Sequence, residues 1–300
     1  MPLTRPVTGT LTALYTPFAA DGGLDLPAYR ALCERLVAAG SGLVPCGTTG
    51  ETPTLTDAEY QILVKTAVEV AAGRVPVIAG TGSSSTERSV AATRAAAEVG
   101  ADAALVVTPP YNKPPQRSLL AHFRAVADQG GLPIVLYNVP SRTGCNLLPE
   151  TALELAQDPR FVAVKEAAGS VAQIEQLIYG APEGFSVLSG DDALTFPLVA
   201  LGGHGVISVA ANVAPEPMVA LVRALLAGDL AGARTLQRAL SPLFGALFAT
   251  TNPIPLKHAA ALLGHARADM RLPLTADAVD EGMSKRIAAA LAHVAEATRA

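Results

Sequence analysis

The chain has 300 residues, 50% hydrophobic and 16% charged, which is long for one β-sandwich, ordinary for one α/β barrel, and enough apolar material for a single large core. Its formal charge of −4 comes without any cluster of Lys and Arg, which argues against nucleic-acid or acidic-membrane partners and toward small molecules. Residues 1–18 lack a continuous apolar signal-type run and no later stretch is apolar enough to span a bilayer, so no membrane association and a cytoplasmic location are expected. Cys33, Cys46 and Cys145 are odd in number and lack metal-ligand spacing, so reduced thiols are expected and neither a metal nor a cofactor is implied.

In chain order, short β-branched runs recur near 10–15, 42–46, 75–79, 103–108, 133–137, 161–165, 185–189 and 205–209. Each is followed by an Ala/Leu-rich stretch of helical period, near 27–39, 56–72, 86–99, 116–129, 149–157, 171–180, 192–200 and 215–226. Strict alternation forces parallel pairing with the helices outside, and eight such units can close into a (β/α)8 TIM barrel. The same alternation permits an open doubly wound sheet, but no G-x-G-x-x-G turn follows the first strand. Beyond residue 226 the strand signal stops. Residues 230–250, 255–263 and 276–298 read as three more helices, the last preceded by a Pro-containing break at 269–274 with Thr275 as a possible N-cap. The expected organisation is a catalytic barrel over 1–226 with a C-terminal helical extension over 227–300.

In a barrel the chemistry collects at the C-terminal strand ends, which the βα loops surround. The sixth run, Phe161–Val164, has no polar alternation and so reads as buried on both faces, yet it delivers Lys165. The chain has five lysines against seventeen arginines, so a general supply of surface ammonium groups does not account for this one. Burial of an amine disfavours its charged form, and a neutral amine is a nucleophile; the plain alternative is an ion pair with Glu166. On the same rim, Thr48 and Thr49 lie between glycines in "CGTTGE", where they could offer hydroxyl and amide donors to a small carboxylate or simply satisfy a turn. Tyr111 in "TPPYNKP" and Tyr137 in "YNVPSRTG" stand at strand ends in a chain with six tyrosines and no tryptophan. Each could move protons or be a satisfied buried phenol. Arg142 could grip a carboxylate bidentately or be a solvated loop residue. His204 in "LGGHG" is given no catalytic role. No H-E-x-x-H, H-x-H or G-x-S-x-G is present, so zinc and serine hydrolysis lack their parts. An amine nucleophile, phenols, hydroxyls and an arginine suit Schiff-base chemistry on an oxo acid.

The segments "GTTGE", "TPPYNKP", "YNVPSRTG", "VKEAAG", "LSGDD" and "GGHGVISV", with "NPIPLK" at 252–257 in the tail, resemble in order and spacing the dihydrodipicolinate synthase family. That family belongs to the class I pyruvate aldolase and N-acetylneuraminate lyase superfamily. The sialic acid lyases usually read Ser-Thr at Thr48-Thr49 and lack an arginine at Arg142, so these two features favour the synthases over another pyruvate-dependent aldolase. The resemblance implies a lyase of lysine and diaminopimelate biosynthesis that condenses pyruvate with L-aspartate-4-semialdehyde. It implies Lys165 as the imine-forming amine, Tyr137 as its acid/base, Thr48 as a relay member and Tyr111 completing the relay from a neighbouring subunit. It further implies that Thr49, with backbone groups near Gly190 and Ile207, holds the pyruvate carboxylate, that Arg142 receives the semialdehyde carboxylate, and that the chain is a homo-oligomer, a tetramer built as a dimer of dimers. Ala168 stands where many members carry Thr or Ser, which removes one hydroxyl beside the nucleophile. Pro110, Asp57, Tyr60 and Arg88 stand where lysine-inhibited members carry an aromatic ring, histidines and a glutamate, so insensitivity to L-lysine is expected. A competing reading is a non-catalytic oxo-acid sensor, against which an intact set of Lys165, Tyr137, Thr48 and Tyr111 counts.

Overall fold

The computed structural model describes residue 3 and residues 6–298. Eight parallel strands follow one another around the fold: β1 (Gly9–Ala13), β2 (Gly42–Val44), β3 (Ile78–Gly80), β4 (Ala103–Val107), β5 (Ile134–Asn138), β6 (Phe161–Glu166), β7 (Ser186–Ser189) and β8 (Gly205–Ser208). The ladder runs β2-β1-β8-β7-β6-β5-β4-β3. A parallel bridge between Leu43 and Val77, with Leu43 N–H donating to the Pro76 carbonyl at 2.9 Å, brings its two ends together. The alternation read from the sequence therefore resolves as the barrel and not as the open sheet. β3 begins at Ile78, later than the expected 75, because Pro76 has no N–H to give to a ladder.

The helices are α1 (Leu26–Ala38), α2 (Asp57–Ala71), α3 (Thr86–Glu98), α4 (Gln116–Gly130), the short α5 (Pro140–Thr143), α6 (Pro149–Ala156), α7 (Val171–Gly180), α8 (Thr195–Ala200), α9 (Pro215–Leu226), α10 (Leu230–Leu247), α11 (Ile254–Leu262) and α12 (Glu281–Ala297). Their starts carry local signals. Asp25, Ser85, Ser170 and Asp229 accept from the amide three residues on, and Thr56 with Glu59 forms a reciprocal capping box at α2. Two expectations shift. Arg142, read as a possible loop residue, lies in the one-turn helix α5. The last helix starts at Glu281, because Asp280 accepts from Met283 N–H at 2.7 Å and takes the capping role, while Thr275 makes no side-chain cap and precedes only a single 3-10 turn.

Period-two alternation divides the apolar residues into two cores. Leu11, Val44, Ile78, Leu105, Val135, Ala163, Leu188 and Ile207 fill the barrel, whereas Val106, Leu136, Val164, Val187 and Val206 on the opposite strand faces pack against the helices. This alternation decides which polar side chains at the strand ends face the barrel mouth.

Candidate active site

On β6, Ala163 and Lys165 face inward and Val164 and Glu166 face the helices, so Lys165 and its neighbour cannot pair. Glu166 instead accepts from the Ala168 amide at 2.6 Å and from Asn138 Nδ2 and Gln173 Nε2 at 3.0 Å each. The ion-pair reading of Lys165 is thereby excluded. Lys165 is 5% exposed and directly opposite Tyr137 of β5 in the ladder, with Nζ 4.3 Å from the centre of the phenol ring. Among the described residues, this amine makes no ion pair and the Tyr137 hydroxyl no hydrogen bond to a side chain. Gly190, one residue past β7, leaves room for the lysine: a Cβ there would lie 3.0 Å from Lys165 Cε and 3.1 Å from Cγ. Ile207 is fully buried on β8, pointing into the barrel.

The threonine turn follows β2. Cys46 and Glu51 bracket it with φ of 55° each, in the left-handed region, and Thr48–Gly50 form a 3-10 turn between them. Gly80 of β3 permits this turn to pack closely, since a Cβ there would lie 2.1 Å from the Cys46 carbonyl oxygen. Thr48 is half-buried and makes no hydrogen bond to Tyr137 among the described residues. Thr49 is buried, and its Oγ1 accepts from Asn252 Nδ2 at 3.0 Å. That bond leaves the Thr49 hydroxyl hydrogen free to donate elsewhere.

Asn252 belongs to the helical tail, and its backbone carbonyl accepts from Arg142 Nη2 at 3.2 Å. One tail residue thus ties two of the expected substrate-binding side chains together. A second tie lies deeper. Lys257 Nζ donates to Glu51 Oε1 at 2.6 Å with both side chains out of solvent, and the same ammonium lies 4.3 Å above the Phe18 ring. Burial pushes the Lys257 amine below its ordinary range while Glu51 pulls it back. Arg271 closes the cluster: its amide donates to Glu51 Oε2 at 3.2 Å and its guanidinium pairs with Glu59, whose carboxyl it holds down to about 2. The scarcity of lysine that singles out Lys165 applies equally to Lys257, which ends the "NPIPLK" segment, but neither signal names Glu51 as its partner.

Tyr111 stands apart from the others. Its φ is 74°, an unfavourable conformation for a bulky residue, its amide donates to the Thr143 carbonyl at 3.2 Å, and the residue is 90% exposed. Within one chain it does not join Lys165 and Tyr137. On the far side of the mouth, Asp192 is buried and accepts from Ser208 Oγ at 2.5 Å and from the amides of Val209 and Ala210, stitching the β7 and β8 ends together. Burial pushes its carboxyl up to about 6. The "SGDD" segment marks its position but not this role. His204 accepts from the Val187 amide at Nδ1, a strand-bracing contact. Among the described residues no three His, Cys, Asp or Glu side chains gather as a metal site requires.

A buried amine over a phenol, a threonine turn and an arginine at one barrel mouth can form and protonate an imine on an oxo acid. The family model described as the dihydrodipicolinate synthetase family matches residues 6–294. A 4-hydroxy-tetrahydrodipicolinate synthase of Thermomicrobium roseum is 54% identical over 267 residues, 89% of this chain and 88% of that protein. One of Methanoculleus marisnigri is 50% identical over 283 residues, 93% and 96% of the two chains. The crystal structure of dihydrodipicolinate synthase from Aquifex aeolicus superposes with a TM-score of 0.92 at 45% identity, covering 95% of this chain and 97% of that one. With the barrel and near full-length similarity in agreement, the chain belongs to the dihydrodipicolinate synthetase family.

Proposed function

We propose that the chain condenses pyruvate with L-aspartate-4-semialdehyde to 4-hydroxy-tetrahydrodipicolinate through a Schiff base on Lys165. The observation that carries this reading is the buried Lys165 amine, without an ion-pair partner among the described residues and 4.3 Å from the Tyr137 ring centre. Neutral Nζ attacks the pyruvate ketone, one water leaves, and the protonated imine withdraws electrons from the methyl carbon so that it loses a proton. The resulting enamine carbon attacks the semialdehyde carbonyl. The semialdehyde amino group then adds to the imine carbon and displaces Lys165, which closes the ring and frees the enzyme. Tyr137 exchanges protons at the imine, with Thr48 and a Tyr111 from a neighbouring subunit extending the path. Thr49 and backbone groups at Gly190 and Ile207 hold the pyruvate carboxylate; Arg142 receives that of the semialdehyde.

The 90% exposure of Tyr111 on a strained backbone supports its service to another copy and hence a homo-oligomer, a tetramer in this reading. The cytoplasmic location is part of the same proposal; among the described residues no helix is long and apolar enough to cross a membrane. So is insensitivity to L-lysine: Tyr60 is buried and Arg88 brings a like charge toward an ammonium ligand. Activity against L-lysine at saturating and sub-saturating pyruvate checks that point, and inhibition at sub-millimolar lysine would refute it. Steady-state turnover with pyruvate and a panel of aldehydes tests the main reading. Aspartate semialdehyde should give the highest kcat/KM, and a clear preference for a sugar aldehyde would favour another aldolase of the superfamily.

A further inference from the structure

Directly behind Lys165 and Tyr137, on the helix side of the same strands, the next ladder position pairs Asn138 with Glu166. Both are buried, and neither touches the proposed reacting atoms. A carboxylate at this depth is costly unless its oxygens are hydrogen-bonded, and burial raises the Glu166 acid above its ordinary range. An ionised carboxylate only accepts. Here it serves three donors from three parts of the fold: Ala168 N–H in the loop after β6, Asn138 Nδ2 at the end of β5, and Gln173 Nε2 in α7.

The bonds continue into the loop that carries Arg142. Asn138 Oδ1 accepts from Leu147 N–H at 2.9 Å and its Nδ2 also donates to Asn146 Oδ1 at 2.7 Å. Asn146 Nδ2 donates to Gln173 Oε1 at 3.0 Å, while Gln173 Nε2 returns a bond to Asn146 Oδ1 at 3.3 Å. Asn146 and Leu147 follow α5, the helix bearing Arg142, by three and four residues. One carboxylate therefore joins the strand end that holds the amine, the strand end that holds the phenol, and the loop that holds the guanidinium.

We propose that Glu166 is a positioning residue for both halves of the reaction, setting Lys165 against Tyr137 directly and the Arg142 loop through Asn138 and Asn146. The proposal rests on the Schiff-base reading above. It separates Glu166, whose loss should disturb amine and arginine alike, from Asn146, whose loss should disturb the arginine loop alone.

The test compares Glu166→Gln and Asn146→Ala in the full chain, with folding checked by circular dichroism and thermal unfolding. The two readouts are the rate of borohydride-trappable imine formation with pyruvate and the KM for aspartate semialdehyde. Glu166→Gln is isosteric but presents an NH2 toward at least one donor, so imine formation should slow by between about tenfold and a hundredfold and the semialdehyde KM should rise. Asn146→Ala should leave imine formation within about twofold and raise the semialdehyde KM by roughly tenfold. A folded Glu166→Gln with wild-type values of both constants overturns the proposal, as do two variants that change both constants in the same proportion. Should Glu166→Gln not fold, Gln173→Ala at a half-buried position removes one of the three donors. It should slow imine formation several-fold, and a wild-type rate overturns the proposal. Failure of the wild-type protein to trap pyruvate on Lys165 would instead remove the Schiff-base reading and this proposal with it.

Discussion

Thr49 and Asn252 are 203 positions apart in the chain and share a buried hydrogen bond of 3.0 Å, Nδ2 to Oγ1. The bond fixes the Thr49 hydroxyl as an acceptor on the tail side, so its hydrogen is directed to whatever occupies the mouth. Asn252→Ala should therefore raise the pyruvate KM while leaving the chain folded. The loss is about 1 kcal/mol, the worth of one neutral hydrogen bond, or roughly fivefold in KM. An unchanged pyruvate KM would show that the Thr49 hydroxyl takes no part in binding.

Arg142 is exposed and, among the described residues, its guanidinium hydrogen-bonds only the Asn252 carbonyl, at 3.2 Å, which leaves its fork open to a carboxylate. Arg142→Ala should lower kcat/KM for the semialdehyde by about 2–3 kcal/mol in transition-state binding. Imine formation with pyruvate should change far less. Equal damage to both would mean that the arginine only braces the tail.

Mixing inactive subunits tests where Tyr111 acts. If its phenol completes a neighbour's site, Tyr111→Phe and Lys165→Ala subunits allowed to exchange should form hybrid sites carrying both native residues, and some activity should return. No recovery despite proven exchange would place Tyr111 in the site of its own subunit.

Acid stability follows from His122, which is buried between α3 and α4 with Nδ1 2.9 Å from Thr86 Oγ1. Burial pushes its imidazole from 6.5 down to about 4. Between these values the unfolded chain binds a proton that the folded chain does not, so stability is full above 6.5 and is lost as pH falls toward 4. The contribution lost between pH 7 and pH 5 is about 2 kcal/mol. Urea unfolding at the two pH values should show a smaller difference for His122→Gln than for the wild type. Equal differences would assign the acid lability to other groups.

The strand and helix order was legible because each element carries its own periodicity, and Lys165 and Tyr137 stood out from their strand-end positions, whereas Gly190 came only with the family resemblance. The partners of the site residues were not legible. Asn252, Lys257 and Arg271 meet Thr49, Glu51 and Glu59 across more than two hundred residues, and no local pattern encodes such a meeting. Asp192 was visible as one of two acids in "SGDD" but not as the acceptor for the β8 end, because that role depends on adjacent strand ends in the closed barrel. The start of α12 went to Asp280 over Thr275 because two nearby residues both suit a cap and only the fold chooses between them.

Reduction with borohydride in the presence of pyruvate, followed by peptide mapping, tests the role of Lys165 most directly. The chain has five lysines, one of them the equally buried Lys257, which is already committed to Glu51 at 2.6 Å. A reduced three-carbon adduct should appear on Lys165 alone, and Lys165→Ala should neither trap pyruvate nor turn over. An adduct on Lys257 or another lysine, or turnover retained by Lys165→Ala, would contradict the mechanism.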